Sequence, residues 1–163
     1  MFRILGSLAL LALVSFGLWP YYTMFRLDGA LGHTNAQTLA PYVDLPAIQA
    51  RYKARLGHTV QQWLPNDTGA GENMRDTLAG HLSALGGAAL EQALTLERVR
   101  ELLRDAVARA GGTPNAGLIE ATDFAFFESW DRFTIRLGKL GEGPTHVILA
   151  LAKQRWQIVD IVR

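Results

Sequence analysis

The sequence predicts an α+β protein in which an N-terminal hydrophobic helix precedes a helical region packed on a C-terminal antiparallel three-stranded meander. Three observations support this prediction. The first 22 residues carry a single charge, the following stretch repeats apolar residues at helical spacing, and the stretch from Phe124 onward alternates with a period of two. Helices followed by strands with short connections are typical of α+β folds.

The N-terminal segment resembles a membrane anchor. Arg3 is followed by 16 residues without a charge, Ile4–Trp19, and Pro20 ends this apolar run. A helix over residues 1–22 would be about 33 Å long, which is enough for a hydrocarbon core of about 30 Å. The aromatic residues around Tyr22 would lie at the interface opposite Arg3. We therefore predict a signal-anchor, or transmembrane, helix over residues 1–22.

Three alternative cellular locations are compatible with this segment. With Arg3 retained in the cytoplasm, the chain is a single-pass protein of the inner (cytoplasmic) membrane, and residues 23–163 form one extracytoplasmic α+β domain in the periplasm. Cleavage at the small pair Ser15 and Gly17 would instead leave a secreted or periplasmic domain. A cytoplasmic protein would have to surround this helix on every face, because no face of it carries a charge.

The composition of residues 23–163 excludes several function classes. These residues contain 15 Lys and Arg (16 in the chain minus Arg3) and 15 Asp and Glu, so the domain is formally neutral. A neutral domain lacks the concentrated positive field that binding to nucleic acid requires. The chain has no cysteine. Disulfides, thiolate catalysis, iron–sulfur clusters and an N-terminal lipidated cysteine are therefore excluded.

The helical region starts with a predicted helix over Tyr21–Leu31. Capping-box spacing over Thr34–Gln37 predicts a short second helix that ends near Tyr42. Asp44 is a candidate cap for a third helix, whose apolar residues form one stripe as far as Trp63.

The rest of the chain contains two more predicted helices and the strands. A polar loop over Pro65–Glu72 precedes a helix over Asn73–Leu94, and Thr95 caps a last helix that Gly111 and Gly112 end. The period then changes to two. The predicted strands are Phe124–Leu137, Thr145–Ala152 and Trp156–Val162.

Two stretches resemble a known family. They are PYYTMFRLDGAL with LAPYVDLPAIQARYKARL, within Pro20–Leu56, and FESWDRFTIRL with VILAL and RWQIVDI, within Phe127–Ile161. Together they resemble the uncharacterised bacterial family of domain of unknown function 2939 (DUF2939), and Tyr42–Pro46 is their most specific element. The resemblance implies a membrane-anchored envelope protein without an assigned activity, and it supplies no catalytic residues. The chain is also similar to the cone-shaped folds of the nuclear-transport-factor-like superfamily, which implies a pocket between helix and sheet.

No catalytic or metal-binding signature is present in the sequence. The four histidines lack the spacing of a metal motif, no G-x-S-x-G occurs, and the glycine-rich stretches lack the lysine of a phosphate-binding loop. We therefore predict no catalytic residues, no metal and no cofactor. Glu128 and Asp131 fall on opposite faces of a regular strand, although a bulge would bring them together. If Asp131 is buried, it needs a partner such as Arg132, Arg136 or Arg155.

One surface stands out as a candidate binding site. Trp130, Arg132 and Arg136 share one face of the predicted first strand, and Asp131 lies between them in sequence. Indole and guanidinium groups together suit a carboxylate, phosphate or sugar ligand. Ordinary packing of a helix on the sheet, with solvated arginines, is the alternative interpretation of the same residues.

These observations favour a membrane-tethered envelope protein that is a non-enzymatic binding or accessory module. Its expected partners are the membrane and a protein or small ligand. The alternative is an extracytoplasmic, hydrolase-like enzyme with a helix–sheet pocket around Asp131, using Asp131, Glu128 or His146. A third interpretation is an assembly protein that presents its helical stripe to a partner.

Overall fold

The computed structural model describes residues 2–63, 89 and 92–163, and the side chains of 4–55, 89 and 92–163. The predicted α+β class is confirmed. The predicted loop Pro65–Glu72 and most of the predicted helix Asn73–Leu94 lie outside the described residues. The elements in chain order are α1 (Phe2–Gly32), a 3-10 helix (Ala36–Tyr42), α2 (Leu45–Trp63), α3 (Leu96–Gly111), α4 (Leu118–Ala121), β1 (Thr122–Ser129), β2 (Arg132–Leu137), β3 (Thr145–Ala152) and β4 (Arg155–Val162).

The sheet has four antiparallel strands in the order β1-β2-β3-β4, so the prediction of a three-stranded meander is wrong. The predicted strand Phe124–Leu137 is in fact β1 and β2, joined by a two-residue turn of Trp130 and Asp131. Phe127 pairs directly with Phe133. Because these two residues are an even number apart, the alternation of apolar residues continues across the turn and conceals it.

Helix α1 is continuous, although the sequence predicted that the apolar run ends at Pro20. Pro20 lies inside the helix and is buried. Residues 4–15 are exposed, whereas four later residues at helical spacing are buried in the core, namely Met24, Leu27, Ala30 and Leu31. The first half of α1 is therefore an unburied apolar rod, and the second half is part of the domain. The predicted boundary at residue 22 falls within this one helix.

Aromatic rings fix α1 against the sheet. Phe16 stacks on Phe127 at a centroid distance of 6.3 Å and lies 6.5 Å from Trp156. Tyr21 meets Phe133 edge-on at 4.9 Å. Twelve residues after Phe16, the Asp28 carboxylate accepts a hydrogen bond from the backbone N–H at the start of α4. Helix α1 thus runs along the sheet from one end of the strands to the other.

The end of the sheet where Phe16 lies is formed by two tight turns, and we call it the turn edge. One turn is Trp130–Asp131, between β1 and β2, and the other is Lys153–Gln154, between β3 and β4. The backbone N–H of Leu151 donates to the carbonyl of Asp131 at 2.8 Å, which joins the two hairpins. Residues 4–15 of α1 extend past this edge.

Two helix caps and one helix end occur where the sequence predicts them. Asp44 Oδ1 accepts from the Ala47 N–H at 3.1 Å at the start of α2, and Thr95 Oγ1 accepts from the Arg98 N–H at 3.3 Å at the start of α3. Gly112, with φ of 71°, ends α3 in the left-handed conformation. The predicted second helix is the 3-10 helix, but its cap is Asn35, which accepts from the Gln37 N–H at 2.9 Å, and not Thr34 as the capping-box spacing predicts.

Helix α2 lies beside β4 and is held there by polar contacts. The Asp44 N–H donates to the Ile158 carbonyl at 2.9 Å, and the Tyr52 hydroxyl donates to the Ile161 carbonyl at 3.2 Å. Asp160 of β4 is 6% exposed and forms ion pairs with Arg51 and Arg55 of α2. These contacts join the helical region to the last strand of the sheet.

Candidate functional site

The surface predicted from the sequence is divided in the structure. Trp130 is 73% exposed in the β1–β2 turn, and Arg132 begins β2 beside it. Arg136 lies four residues further along the strand, at a distance of about 13 Å. Its guanidinium donates two hydrogen bonds to Asp123 Oδ2, at 2.6 and 3.2 Å. Trp130 and Arg132 therefore remain neighbours, whereas Arg136 belongs to a separate ion pair.

The carboxylates considered as acid–base groups are occupied by local hydrogen bonds. Asp131 is half-buried and accepts a hydrogen bond from the Ser129 hydroxyl at 2.6 Å, so the condition for an arginine partner is not met. Glu128 accepts from the Thr134 hydroxyl at 2.7 Å and lies 3.9 Å from Arg132. Asp131 lines none of the cavities described below. Within the part of the chain that the structure describes, no three His, Asp or Glu side chains are grouped closely enough to hold a metal.

A cavity of about 240 Å³ lies between α1, the 3-10 helix and the β3–β4 turn. We call it the Arg26–Arg155 cavity. It is lined by Trp19, Tyr22, Thr23, Arg26, Pro41, Tyr42, Gln154, Arg155 and Trp156. Two arginines and four aromatic residues thus converge on one space, and the lining includes no carboxylate.

The elements that form this cavity position its two arginines differently. Arg26 projects from the second half of α1, and its Nε donates to the Tyr42 hydroxyl at 3.2 Å, which orients the guanidinium. Arg155 is exposed at the first position of β4. Among the residues with described side chains, neither arginine forms an ion pair with a carboxylate. Both positive charges therefore remain available to an anion.

The floor of the cavity is formed by the buried Trp156 ring. Trp156 is 1% exposed and packs edge-on against Phe127 and Phe133 at centroid distances of 5.8 and 6.3 Å. Its buried indole N–H has no hydrogen-bond partner among the described residues. The Thr23 hydroxyl, also buried, donates to the Trp19 carbonyl one turn earlier in α1 at 3.2 Å.

A second, larger cavity of about 550 Å³ adjoins the first, because Arg26, Pro41 and Tyr42 line both. Phe25 provides an apolar wall, and His33 lies at its far end after the last turn of α1. The paired Arg26 and Tyr42 side chains therefore border both cavities along α1. This arrangement can hold a charged group at the arginines and an apolar group along the helix.

Sequence reasoning did not identify this site. Arg26 and Arg155 are 129 positions apart, and each is a solitary arginine in its own segment. Only the packing of α1 across the sheet brings them to one cavity. The available signal was the aromatic group Trp19, Tyr21 and Tyr22, which was interpreted as a membrane-interface belt.

Helix α1 meets the length and composition required to cross a membrane over Ile4–Gly32, with a mean hydropathy of 1.8 in its most apolar window. Of that window, 6% is buried within the protein. Several residues of the free half are more than half exposed, for example Leu5, Leu8 and Leu11. An apolar surface of this size on a helix is typical of a membrane anchor or a signal sequence.

Comparison with known proteins supports the resemblance stated above. Neither the curated proteins nor the solved structures contain a match to this chain. Residues 9–102 match the family model described as "Protein of unknown function (DUF2939)". The matched segment includes Arg26 and Tyr42 and ends before the sheet. Because it covers 94 of the 163 residues, the chain belongs to the DUF2939 family.

Proposed function

We propose that this chain is a single-pass membrane-tethered domain on the periplasmic side of the inner membrane that binds the anionic headgroup of an amphiphile without transforming it. The observation that carries this proposal is the Arg26–Arg155 cavity, in which two arginines that pair with no carboxylate among the described side chains lie beside aromatic walls. The cavity lies beside the point at which the apolar half of α1 leaves the domain.

The tether is supported by the solvation of α1. Residues 4–15 expose apolar side chains on all sides, and exposure of that area to water is unfavourable by about 25 cal/mol for each Å². Insertion into a bilayer removes this cost. The domain itself does not remove it, because residues 4–15 remain exposed and do not pack against the domain. The positive charge of Arg3 at the N-terminal end favours a cytoplasmic N-terminus and a periplasmic domain.

The ligand class follows from the lining of the cavity. Guanidinium groups form charge-assisted hydrogen bonds with phosphate and carboxylate oxygens, and such bonds are about twice as strong as neutral ones. Trp19, Tyr22 and Tyr42 provide apolar area for the part of the ligand next to the charge. A molecule with an anionic head and an apolar body fits this lining better than a fully polar anion does.

The hydrolase-like alternative has no comparable support. Asp131 and Glu128 accept hydrogen bonds from Ser129 and Thr134, and His146 lines neither of the two cavities described above. An acid–base pair must reach a common substrate atom. A binding role requires only the arginines and the aromatic walls, and these converge on one cavity.

The proposal is tested by titrating short-chain phosphatidylglycerol into the full chain in a neutral detergent while recording tryptophan fluorescence, since Trp19 and Trp156 line the cavity. Arg155→Gln should weaken binding by about tenfold or more, because one charged hydrogen bond contributes about 1.5–3 kcal/mol. Arg98→Gln is the matched control, because Arg98 pairs with Glu101 on the exposed surface of α3.

Two further titrations identify the ligand class. Inorganic phosphate should compete only weakly, because it lacks an apolar body, and a short-chain phosphatidylcholine should bind less tightly than phosphatidylglycerol, because its headgroup carries no net charge. The proposal fails if Arg155→Gln binds phosphatidylglycerol as tightly as the unmodified chain and the Arg98→Gln control do.

A further inference from the structure

We infer that the turn edge of the sheet, with Trp130 at its tip, is a second membrane-contact surface that rests in the headgroup region of the bilayer. This inference rests on the proposed tether. It adds an orientation, since it states which side of the domain faces the lipid. Its occupant is the phospholipid headgroup layer of the membrane in which α1 is anchored.

The direction of α1 determines which side of the domain faces the membrane. Phe16 contacts Phe127 near the end of β1 and Trp156 near the start of β4, and both positions adjoin the turn edge. Asp28 contacts the start of α4, which precedes the opposite end of β1. The free apolar half of α1 therefore leaves the domain at the turn edge, and a membrane that takes up this half faces that edge.

The continuity of α1 limits how far the domain can stand from the bilayer. Helix α1 runs without a break from its free half into the core, and Phe16 packs on the sheet next to the turn edge. No linker separates the two halves of the helix, so a bilayer that takes up residues 4–15 lies directly against the end of the sheet where Phe16 packs. This places the turn edge in the headgroup region, where the hydrocarbon core ends.

The turn edge carries an exposed aromatic side chain of the kind found at membrane interfaces. Trp130 is three residues beyond Phe127, so it reaches up to about 10 Å further toward the membrane at 3.3 Å per residue. It is 73% exposed, and tryptophan favours the membrane–water interface. On α1, Trp19 and Tyr22 lie within two turns of Phe16 and are 39% and 61% exposed. Trp130 therefore lies nearest to the bilayer among these three aromatic residues, and Trp19 and Tyr22 lie further from it, on the domain side of Phe16.

The charges at the turn edge are compatible with anionic lipid. Three cations lie there, Arg132, Lys153 and Arg155, and two carboxylates, Glu128 and Asp131. Both carboxylates already accept hydrogen bonds from protein hydroxyls. The opposite edge also carries cations, Arg109, Lys139 and Arg163, beside Glu142. Charge alone therefore does not indicate which of the two edges faces the membrane. The point at which α1 leaves the domain indicates that it is the turn edge.

The β3–β4 turn provides an independent indication. Lys153 and Gln154 have φ of 48° and 61°, in the left-handed region that glycine and asparagine occupy at lower cost. A two-residue hairpin of this geometry is built most easily from Asn-Gly. The long cationic and amide side chains at these two positions reach the lipid headgroups when the turn edge faces the membrane.

Because the chain has no cysteine, a single introduced cysteine can be labelled specifically, and this is the basis of the test. Trp130→Cys and Leu140→Cys each receive one environment-sensitive fluorophore. Both positions are 73% exposed in tight turns, but Leu140 lies between β2 and β3, at the opposite edge. The labelled full-length chains are reconstituted into vesicles of phosphatidylethanolamine and phosphatidylglycerol that contain a nitroxide-bearing lipid. Lys153→Cys is a third labelling site on the turn edge, for use if the Trp130 variant is perturbed.

We expect the labels at 130 and 153 to emit at shorter wavelength and to be quenched several-fold more strongly by the nitroxide lipid than the label at 140. Equal quenching at 130 and 140 in protein that floats with the vesicles would overturn the inference and leave the tether intact. Protein that does not float with the vesicles would overturn both the tether and the inference.

Discussion

The contact between α2 and β4 gives a quantitative prediction, because one buried carboxylate is held by two arginines of unequal geometry. Asp160 is 6% exposed. Its Oδ1 accepts from Arg55 and from the Ile161 N–H, the latter at 2.9 Å, whereas Arg51 lies 3.6 Å from Oδ2, beyond good hydrogen-bond distance. Arg55 also lies over the Tyr52 ring at 4.6 Å. Loss of Arg55 should therefore cost much more than loss of Arg51.

The magnitudes follow from these contacts. Arg55→Met removes a charged hydrogen bond worth about 1.5–3 kcal/mol and a cation–π contact worth about 0.5–1 kcal/mol. Because 43% of the Arg55 side chain is exposed to screening by solvent, we expect a loss in the lower part of that sum, about 2–3 kcal/mol. Arg51→Met removes only a longer ion pair of a partly exposed side chain, and we expect less than about 1 kcal/mol. The double variant leaves a buried carboxylate unpaired and should cost more than the sum of the two, because the remaining arginine can no longer compensate.

The assay is guanidinium chloride unfolding of the full chain in a fixed concentration of neutral detergent, followed by tryptophan fluorescence. Arg98→Met is the control, because its pair with Glu101 is exposed and should contribute less than about 0.5 kcal/mol. Equal losses for Arg51→Met and Arg55→Met, or losses no larger than that of the control, would refute the assignment of Arg55 as the main partner of Asp160.

Three further predictions concern the caps, the β3–β4 turn and a tyrosine. Asp44→Ala should destabilise the protein by about 1 kcal/mol through loss of the α2 cap, and Asp44→Asn should restore most of that stability in the same unfolding assay. Gln154→Gly should stabilise the protein by about 0.5 kcal/mol, since relief of the positive φ exceeds the added entropy of the unfolded chain; a lower thermal midpoint would contradict this. Burial raises the pKa of Tyr52, so the folded state holds the phenol proton more tightly than the unfolded state. The contribution of the Tyr52 phenol to the free energy of unfolding is therefore fully present below about pH 10 and is lost as the pH rises through the folded pKa. Tyr52→Phe should remove this alkaline decline from the pH dependence of the unfolding midpoint.

Local features were predictable from the sequence, because neighbouring residues determine them. The caps at Asp44 and Thr95 and the left-handed stop at Gly112 require only a side-chain oxygen or a missing Cβ at the correct position. The α+β order was likewise predictable from the change in apolar period. The hydrophobic helix was recognised, but its continuation through Pro20 into the core was not, because a proline within an apolar run normally marks a helix end.

Tertiary features were not predictable from one sequence. The Trp130–Asp131 turn contains no glycine, proline or asparagine, and it preserves the alternation of the flanking strands, so the turn preference of Asp131 alone did not reveal it. Asp160 and Arg55 are 105 positions apart, and Arg26 and Arg155 converge only through the packing of α1 on the sheet. Such pairs depend on the assembled fold.

The central claim is that the first half of α1 lies in a bilayer while its second half belongs to the core. The most direct measurement is the distribution between vesicles and buffer in a flotation gradient, for the full chain and for a Leu8→Arg/Leu11→Arg variant. Both leucines are more than half exposed and contact no core residue, so the substitutions should leave the domain folded, whereas an arginine at the centre of a membrane helix costs about 2.5–3.5 kcal/mol. The unmodified chain should float with the vesicles, and the folded variant should remain in the buffer. An unmodified chain that stays dissolved in buffer as a folded monomer, or a variant that floats equally well, would contradict the account.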